Sequence, residues 1–195
     1  MANLILDQIK SHPAGWIFSA SHFSGLAPRN TVDQTLLRLS KTGHIRRLST
    51  GLFCLPHSHP LLGDTPPSLD DIVQAYTQKF GYQIQVPPAK AANLLGLSQQ
   101  VATKHVYLTD GPNRSLVLNN TPVTLKHVCP RKLLGIGTKA GLILQSLYYF
   151  GAQGFDNTLA LKIKSQLDHQ DKQLLKSWIP LTPGWMQKNI ATILD

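Results

Sequence analysis

The chain has 195 residues, of which 42% are hydrophobic, so it can bury a core in one large or two small domains without a metal or disulfides. Its 19 Lys and Arg residues exceed its 10 acidic residues by 9, which favours a polyanionic partner such as DNA over an acidic small substrate. Every acidic residue is an aspartate. The absence of glutamate reduces the number of enzyme classes that could work through carboxylate catalysis.

The sequence also bears on the cellular compartment. No apolar run approaches the ~20 residues of a membrane span, and the N-terminus lacks the basic region and hydrophobic core of a signal peptide. Cys54 and Cys129 have no CxxC partner, and two cysteines are too few for a disulfide framework. We therefore expect a cytoplasmic protein without membrane contact, in which both cysteines are reduced core thiols.

The first predicted elements are short. Leu4, Ile5 and Ile9 have helical spacing within residues 2–10. Trp16 to Phe18 then predict a brief extended stretch. Ser19 or Ser21 can cap a second short helix that holds Phe23 and Leu26.

A longer helix is predicted between Pro28 and Gly43. Pro28 suits a helix start because it has no N–H group to leave unsatisfied, and Asn30 or Thr31 could cap the first turn. Gly43 is typical of the left-handed residue that follows a helix.

The two faces of this helix differ in polarity. Val32, Leu36 and Leu39 fall at i, i+4 and i+7, so one stripe faces a core. Leu37 fits neither face, and we interpret it as a contact to a neighbouring element. The opposite face carries side chains that can donate to base edges or phosphates, namely Asn30, Thr31, Gln34, Arg38 and Lys41.

The next segment predicts a basic hairpin. Its apolar residues are Ile45, Leu48, Leu52 and Phe53. They are interrupted by Ser49, Thr50 and Gly51, which indicates two short strands joined by a glycine turn. Packed on the preceding helix, such a hairpin becomes a wing, with Arg46 and Arg47 beside its tip.

Helix, short helix, turn, long helix and hairpin follow one another in the order of a winged helix-turn-helix. We therefore predict a DNA-binding domain over residues 1–58. Five basic residues and one acid, Asp33, lie within residues 29–47, and this excess favours DNA binding over an amphipathic helix with a solvated charged face. The predicted DNA-binding residues are Arg29, Asn30, Thr31, Gln34, Arg38, Lys41, Arg46, Arg47, Ser49 and Thr50.

Within this set the residues have different predicted roles. Asn30, Gln34 and Arg38 would read base edges in the major groove, and Thr31 and Lys41 would contact phosphates. Arg46 and Arg47 would carry the wing to the backbone or the minor groove.

The remainder of the chain predicts a second, mixed domain. Residues 57–68 are rich in proline and glycine and are predicted to be a linker. Residues 69–195 then predict two helices with a short strand between them, three alternating runs that form an antiparallel meander, and a helical tail with Thr138, Asp156 and Thr182 as caps. The predicted fold class is α+β, with the winged helix-turn-helix followed by a small antiparallel sheet and a helical C-terminal part.

Motifs for catalysis or cofactors are weak. Residues 135–141, GIGTKAG, lack the GxxxxGK[ST] spacing of a phosphate loop and predict a glycine-rich start of a helix. His57 and His59 predict a surface loop more than a metal site. No histidine lies in a recognised catalytic motif, and the sequence contains neither HExxH nor GxSxG. We predict no catalytic residue, no metal and no cofactor. A second basic cluster could extend the DNA footprint, contact a partner or be a solvated surface; it comprises Arg114, Lys126, Arg131 and Lys132.

The run from Trp16 through the wing resembles the N-terminal winged helix of the AbiEi-like antitoxins of type IV toxin–antitoxin (abortive infection) systems. In that family a helix ending in glycine leads into a basic wing whose second strand reads Gly-hydrophobic-aromatic-x-hydrophobic-Pro. The matching residues are Gly43, Ile45, Arg46, Gly51, Phe53 and Pro56. The likeness continues more loosely through TKAGLILQSLYYFG.

The resemblance implies a non-enzymatic repressor of its own operon that binds double-stranded DNA at its own promoter. It also implies an antitoxin that antagonises a nucleotidyltransferase-like toxin through the C-terminal domain, without a stable complex. Two alternatives stay open. One is a stand-alone winged-helix transcription factor whose C-terminal domain senses a ligand or mediates oligomerisation, and the other is a DNA-processing enzyme built on a winged helix.

Overall fold

The computed structural model describes residues 2–59, 63–100 and 103–195. The predicted α+β class is confirmed, because helices and small sheets are combined, and the winged helix-turn-helix stays a prediction. The chain divides into two compact units, each made of two segments. Unit 1 comprises Met1–Gly81 and Val117–Pro122, and unit 2 comprises Tyr82–Leu116 and Val123–Asp195.

Unit 1 begins with a helix, a strand, a 3-10 turn and a second helix. The helices and strands of this unit are α1 (Ala2–Lys10), β1 (Ile17–Phe18), α2 (Arg29–Lys41), β2 (Arg46–Ser49), β3 (Leu52–Cys54), β4 (His57–His59), β5 (Gly63–Thr65) and α3 (Leu69–Gln78), with a 3-10 helix at Ala20–Phe23. Helix α2 starts directly after Pro28, as predicted, and Gly43 has φ +78°. The capping prediction was wrong, because no side chain caps α2 and both Asn30 and Thr31 lie inside its first turn.

One core of unit 1 lies between α1, α2 and a three-stranded sheet. The antiparallel sheet has the order β1-β3-β2, so the last strand lies in the middle. The apolar stripe of α2 is buried as predicted, with Val32 and Leu36 fully shielded from solvent. These side chains pack in one cluster with Ile5, Ile9, Phe18, Phe23, Leu39, Ile45 and Phe53.

The proline-rich segment is more structured than a linker. β4 and β5 pair as an antiparallel hairpin, in which His57 lies opposite Thr65. Helix α3 follows, and the side chain of Ser68 caps it by accepting from the Asp71 N–H group. The first boundary between the units follows Gly81 and does not fall in the proline-rich segment. Helix α3 therefore belongs to unit 1.

Unit 2 combines a four-stranded sheet with five helices among its described residues. These elements are β6 (Ile84–Gln85), α4 (Pro88–Leu94), β7 (His105–Thr109), β8 (Arg114–Leu118), β9 (Thr121–His127), α5 (Lys139–Phe150), α6 (Asn157–Lys164), α7 (His169–Trp178) and α8 (Gly184–Leu194). The turn between β8 and β9 is the segment grouped with unit 1.

The predicted meander was wrong in its strand order. The sheet order is β6-β7-β9-β8, and β7 pairs with β9 in parallel. Alternating polarity shows which residues of a strand face a core but does not specify the neighbouring strand, so three successive strands could be arranged in either way. The turn between β8 and β9 uses Asn119 and Asn120, whose φ values of 45° and 62° suit a tight hairpin.

The C-terminal helices bury most of their apolar side chains in one cluster. Leu147, Leu175, Met186, Ile190 and Ile193 are fully shielded from solvent. The predicted caps of α5 and α6 are confirmed, since Thr138 accepts from Gly141 N–H and Asp156 accepts from Leu159 N–H. Thr182 does not cap α8, whose N-cap residue is Pro183.

The two cysteines lie in different environments. Cys54 is a buried core thiol, as predicted, but Cys129 is exposed, so its assignment to the core was wrong. Cys129 directly precedes a 3-10 turn that starts at Pro130, where the chain leaves the sheet. Among the helices described, none is both long and apolar enough to cross a membrane.

Candidate nucleic-acid interface

Helix α2 presents a polar face to solvent opposite its buried stripe. Burial of Val32, Thr35, Leu36 and Leu39 fixes the rotation of the helix about its axis. The predicted base- and phosphate-contacting residues of this helix are all exposed, namely Arg29, Asn30, Thr31, Gln34, Arg38 and Lys41.

Most of these side chains are not used by the fold. Among residues 2–59, 63–100 and 103–195, the structure gives no side-chain hydrogen bond or ion pair to Gln34, Arg38 or Lys41. The same is true of Asn30 and Thr31. A helix of about 10–12 Å diameter fits the major groove, where amide and guanidinium groups can pair with base edges.

Arg29 differs from the other residues of this face. Its Nε donates to Asp33 Oδ2 at 2.9 Å, and the two side chains are 57% and 41% exposed. An exposed ion pair of this kind contributes little stability, so a phosphate could replace Asp33 as the partner of Arg29 at small cost.

Leu37 lies on the exposed face, which corrects its interpretation as a contact to a neighbouring element. Its side chain is 41% exposed, and it is placed one turn from Gln34 and Lys41. An apolar side chain at this position can contact the methyl group of thymine in the major groove.

The first turn of α2 leaves backbone donors uncapped. Its N-cap residue, Pro28, makes no side-chain hydrogen bond to the helix. A surface cavity of about 370 Å³ adjoins this helix start and is lined in part by Ser21, Ser24 and Arg29. Free N–H groups at a helix N-terminus favour anions, and DNA phosphates are the anions that accompany a helix in the major groove.

The hairpin of β2 and β3 is short and irregular. Arg47 lies opposite Phe53, but Ser49 lies opposite Leu52, so Leu48 is an extra residue in the ladder. The carbonyl oxygen of this bulged Leu48 accepts from the Asn119 N–H group at 2.8 Å. The bulge turns the end of the wing, and Gly51 completes the turn with φ +66°.

The predicted wing residues are placed differently from one another. Arg47 and Thr50 are exposed and Arg46 is half-buried. Arg47 Nε donates to the Ser49 carbonyl oxygen at 3.3 Å, so its guanidinium lies along the turn. The Ser49 hydroxyl is buried without a hydrogen-bond partner among the described residues. Ser49 therefore offers no hydroxyl to DNA in this conformation, which corrects its inclusion in the predicted set.

Lys79 is an additional residue of this region that the sequence did not reveal. Its Nζ lies 3.4 Å from the Thr50 carbonyl oxygen and 3.3 Å from that of Gly51. Burial and the Arg29 guanidinium lower the pKa of the Lys79 ammonium, and Asp33 acts in the opposite direction. The end of α3, the wing turn and the first turn of α2 are therefore neighbours within unit 1.

The other candidate motifs have structural roles. Gly135 and Gly137 have positive φ angles ahead of the Thr138 cap, so the predicted glycine-rich start of a helix is confirmed. His127 Nδ1 lies 2.9 Å from the Gly111 carbonyl oxygen. Over the described part of the chain, no three His, Cys or Asp side chains are grouped as a metal site would require.

All four residues of the second basic cluster belong to unit 2. Lys126, Arg131 and Lys132 are exposed, and Arg114 is half-buried. Lys132 Nζ lies 5.6 Å from the centre of the Tyr148 ring. Lys126 and Lys132 also line one cavity, which is described further below.

Comparison with protein families places the chain in a single group. The family described as "Family of unknown function (DUF6088)" matches residues 4–175, and the chain therefore belongs to this family. No curated protein matches the sequence. No solved structure matches the fold.

Proposed function

We propose that this DUF6088 protein is a sequence-specific regulator that binds double-stranded DNA through α2 and the β2–β3 wing. The observation that carries the proposal is the face of α2 formed by Asn30, Thr31, Gln34, Arg38 and Lys41. These side chains are exposed, lie opposite a buried stripe and have no side-chain partner in the described structure.

The arrangement around this face supports the proposal. A strand, a short helical turn, α2 and a two-stranded hairpin follow in the order of a winged helix-turn-helix, with the sheet order β1-β3-β2. Arg46 and Arg47 add positive charge to the wing. The net charge of the whole chain, +9, also favours a polyanionic partner.

In this proposal the side chains have separate tasks. Asn30, Gln34 and Arg38 read base edges, whereas Thr31 and Lys41 contact phosphates. Arg29 joins the phosphate contacts when it exchanges Asp33 for DNA. Arg46, Arg47 and the exposed Thr50 bring the wing to the backbone or the minor groove.

We further propose that the DNA is the promoter of the protein's own operon and that the protein is a cytoplasmic antitoxin. This part rests on the resemblance of residues 43–56 to the AbiEi-like wing. The functional partner would be a nucleotidyltransferase-like toxin that is antagonised through the C-terminal region without a stable complex. The protein itself would be non-enzymatic.

The test is binding of the purified protein to the DNA upstream of its own gene and to a scrambled duplex, over a salt series. Specific binding that strengthens as salt falls is expected. Arg38→Ala and Gln34→Ala should each lose about 1 to 3 kcal/mol for the specific duplex and little for the scrambled one. Lys10→Ala is the matched control, because Lys10 is an exposed cation at the end of α1 and is not part of the α2 face.

Equal affinity of both duplexes for the wild-type protein would reject sequence-specific regulation. Unchanged specific binding by Arg38→Ala and Gln34→Ala would reject α2 as the reading helix. Rescue of cell growth on co-expression with the neighbouring toxin is a separate test of the antitoxin part. Failure of rescue would leave the DNA-binding part unaffected.

A specific observation also favours a second candidate, a transcription factor whose C-terminal unit senses a ligand. Unit 2 contains a cavity whose wall includes the buried side-chain amide of Gln145, and the oxygen of this amide has no hydrogen-bond donor among the described residues.

A further inference from the structure

A cavity of about 240 Å³ opens in unit 2 beside α5 and the ends of two strands. Its apolar lining includes Leu108 and Val128, which are 7% and 9% exposed. Its polar lining comprises Lys126, Lys132, Gln145 and Tyr148. None of the described residues that line it is acidic, so the cavity combines apolar walls with two cations.

Gln145 is an unusual member of the wall. It lies on α5 among apolar residues and is only 1% exposed. Its Nε2 donates to the Lys132 carbonyl oxygen at 2.6 Å, which assigns the two ends of the amide. The remaining atom, Oε1, is buried and has no donor among the described residues.

Such an atom needs an explanation, because buried polar groups in folded proteins are almost always hydrogen-bonded. An unsatisfied buried acceptor costs free energy, and a leucine of similar size would avoid that cost. Gln145 therefore places an unused acceptor in the cavity wall, where it could accept from a donor group of a bound molecule.

The other polar groups define the charge of the entering molecule. Lys126 and Lys132 are exposed at the cavity and supply positive charge. Burial, with a smaller effect from Cys129, raises the pKa of the Tyr148 hydroxyl, so this group stays protonated and can donate. Lys132 Nζ lies 5.6 Å from the Tyr148 ring centre, so one cation and the aromatic wall are adjacent.

We propose that this cavity binds a small organic acid, with its acidic group toward Lys126 and Lys132, its apolar body against Leu108 and Val128, and an O–H or N–H group donating to Gln145. The proposal is independent of DNA binding. It can hold or fail whether or not α2 contacts DNA, because the binding assay contains no DNA.

The probes are three single-ring compounds that differ in one group at a time. 4-Hydroxybenzoate has both the acid and the donor, benzoate lacks the donor, and 4-hydroxybenzamide lacks the charge. Calorimetric titration of the full chain should give the order 4-hydroxybenzoate, then benzoate, then 4-hydroxybenzamide. Loss of the charged contact should weaken binding about tenfold, since hydrogen bonds to charged groups are the stronger ones.

The variants assign each group to its side chain. Lys126→Met should weaken both acids about tenfold and leave 4-hydroxybenzamide unchanged. Gln145→Leu should remove the advantage of 4-hydroxybenzoate over benzoate. Lys162→Met is the matched control, because Lys162 is an exposed lysine of α6 outside the cavity lining.

Several outcomes would overturn the proposal. One is the absence of binding by all three compounds at millimolar concentration. Another is equal weakening by Lys126→Met and Lys162→Met, which would indicate a general effect of surface charge. If Gln145→Leu does not fold, the Lys126→Met comparison still decides whether an acid binds in this cavity.

Discussion

The Lys79 ammonium nitrogen lies 3.3 Å from the carbonyl oxygen of Gly51, at the tip of the wing. The two residues are 28 positions apart in the sequence. A Cβ atom added to Gly51 would lie 2.8 Å from this nitrogen, so the glycine leaves room for the contact. Lys79 therefore contacts the wing turn through main-chain carbonyl groups, and the absence of a side chain at Gly51 leaves room for this contact.

Replacement of Lys79 by methionine should weaken specific DNA binding, because the wing turn loses the donor that fixes its carbonyl groups. We expect about a tenfold loss, as for a hydrogen bond from a charged donor. The slope of log affinity against log salt should not change, because Lys79 acts through the turn and not on a phosphate. Titrations of labelled DNA at several salt concentrations measure both quantities.

Arg47→Met is the comparison for this experiment. Arg47 is exposed on the wing, and loss of one phosphate contact should reduce the salt slope by about 0.9. A similar fall in slope for Lys79→Met would show that Lys79 itself contacts the backbone, which would contradict the positioning role.

Leu37 should contribute to base preference through a thymine methyl group. Leu37→Ala should reduce the affinity for the specific duplex about fourfold, since burial of one methyl group against the thymine contributes about 0.8 kcal/mol. Replacement of the relevant thymine by uracil should weaken the wild-type protein by a similar factor and leave Leu37→Ala unaffected. If no thymine in the duplex shows this coupling, Leu37 is simply an exposed side chain.

Gly141 should tolerate no side chain. A Cβ atom at this position would collide with the Gly135 carbonyl group, at the start of α5. Gly141→Ala should therefore lower the free energy of unfolding by about 1 to 3 kcal/mol, which urea denaturation can measure.

Gly184→Ala provides the control for this prediction. Gly184 is also helical, at the start of α8, and nothing lies within 4 Å of a Cβ atom there. This substitution should leave stability unchanged or raise it, since alanine favours helix more than glycine does. Equal destabilisation by both substitutions would mean that the close approach of Gly141 to Gly135 is not the cause.

The cysteines should differ in reactivity in the native protein. Cys129 is exposed and should be alkylated by iodoacetamide without denaturant, whereas Cys54 is buried and should react only after unfolding. Mass spectrometry of the folded protein should therefore find one rapidly modified thiol. Rapid modification of Cys129→Ala would show that Cys54 is accessible.

Cys54 should also make stability depend on alkaline pH. Burial raises its pKa from 9.0 to about 11, although Arg46 opposes the shift. The thiol thus ionises in the unfolded chain before it ionises in the folded one, so its contribution to stability is lost as pH rises from 9.0 to about 11. Urea denaturation across this range should give a steeper fall for wild type than for Cys54→Ala. Cys129→Ala should behave as wild type.

The sequence predicted elements defined by local signals better than it predicted their partners. Pro28 and Gly43 bracketed α2, and the spacing of Val32, Leu36 and Leu39 gave its buried side. These features depend on the helical repeat and on the conformations that Pro and Gly allow.

Contacts between distant residues had no such signal. The approach of Lys79 to Gly51, the bond from Asn119 to Leu48 and the parallel pairing of β7 with β9 all depend on tertiary structure. The exposure of Leu37 was missed for a related reason. Its position on the flank of the helix could be derived, but whether another element covers that flank could not.

Unit 1 is formed from two separate segments of the chain, and this affects the order in which it can fold during synthesis. Lys79 donates to the wing turn, and the Asn119 N–H group donates to the bulged Leu48. Residues 82–116, which belong to unit 2, are synthesised before Asn119. On the ribosome, α2 and the hairpin therefore emerge well before the last segment of their own unit. A nascent chain arrested before residue 117 would lack that segment, so the N-terminal unit reaches its final form only after much of the following sequence has been translated.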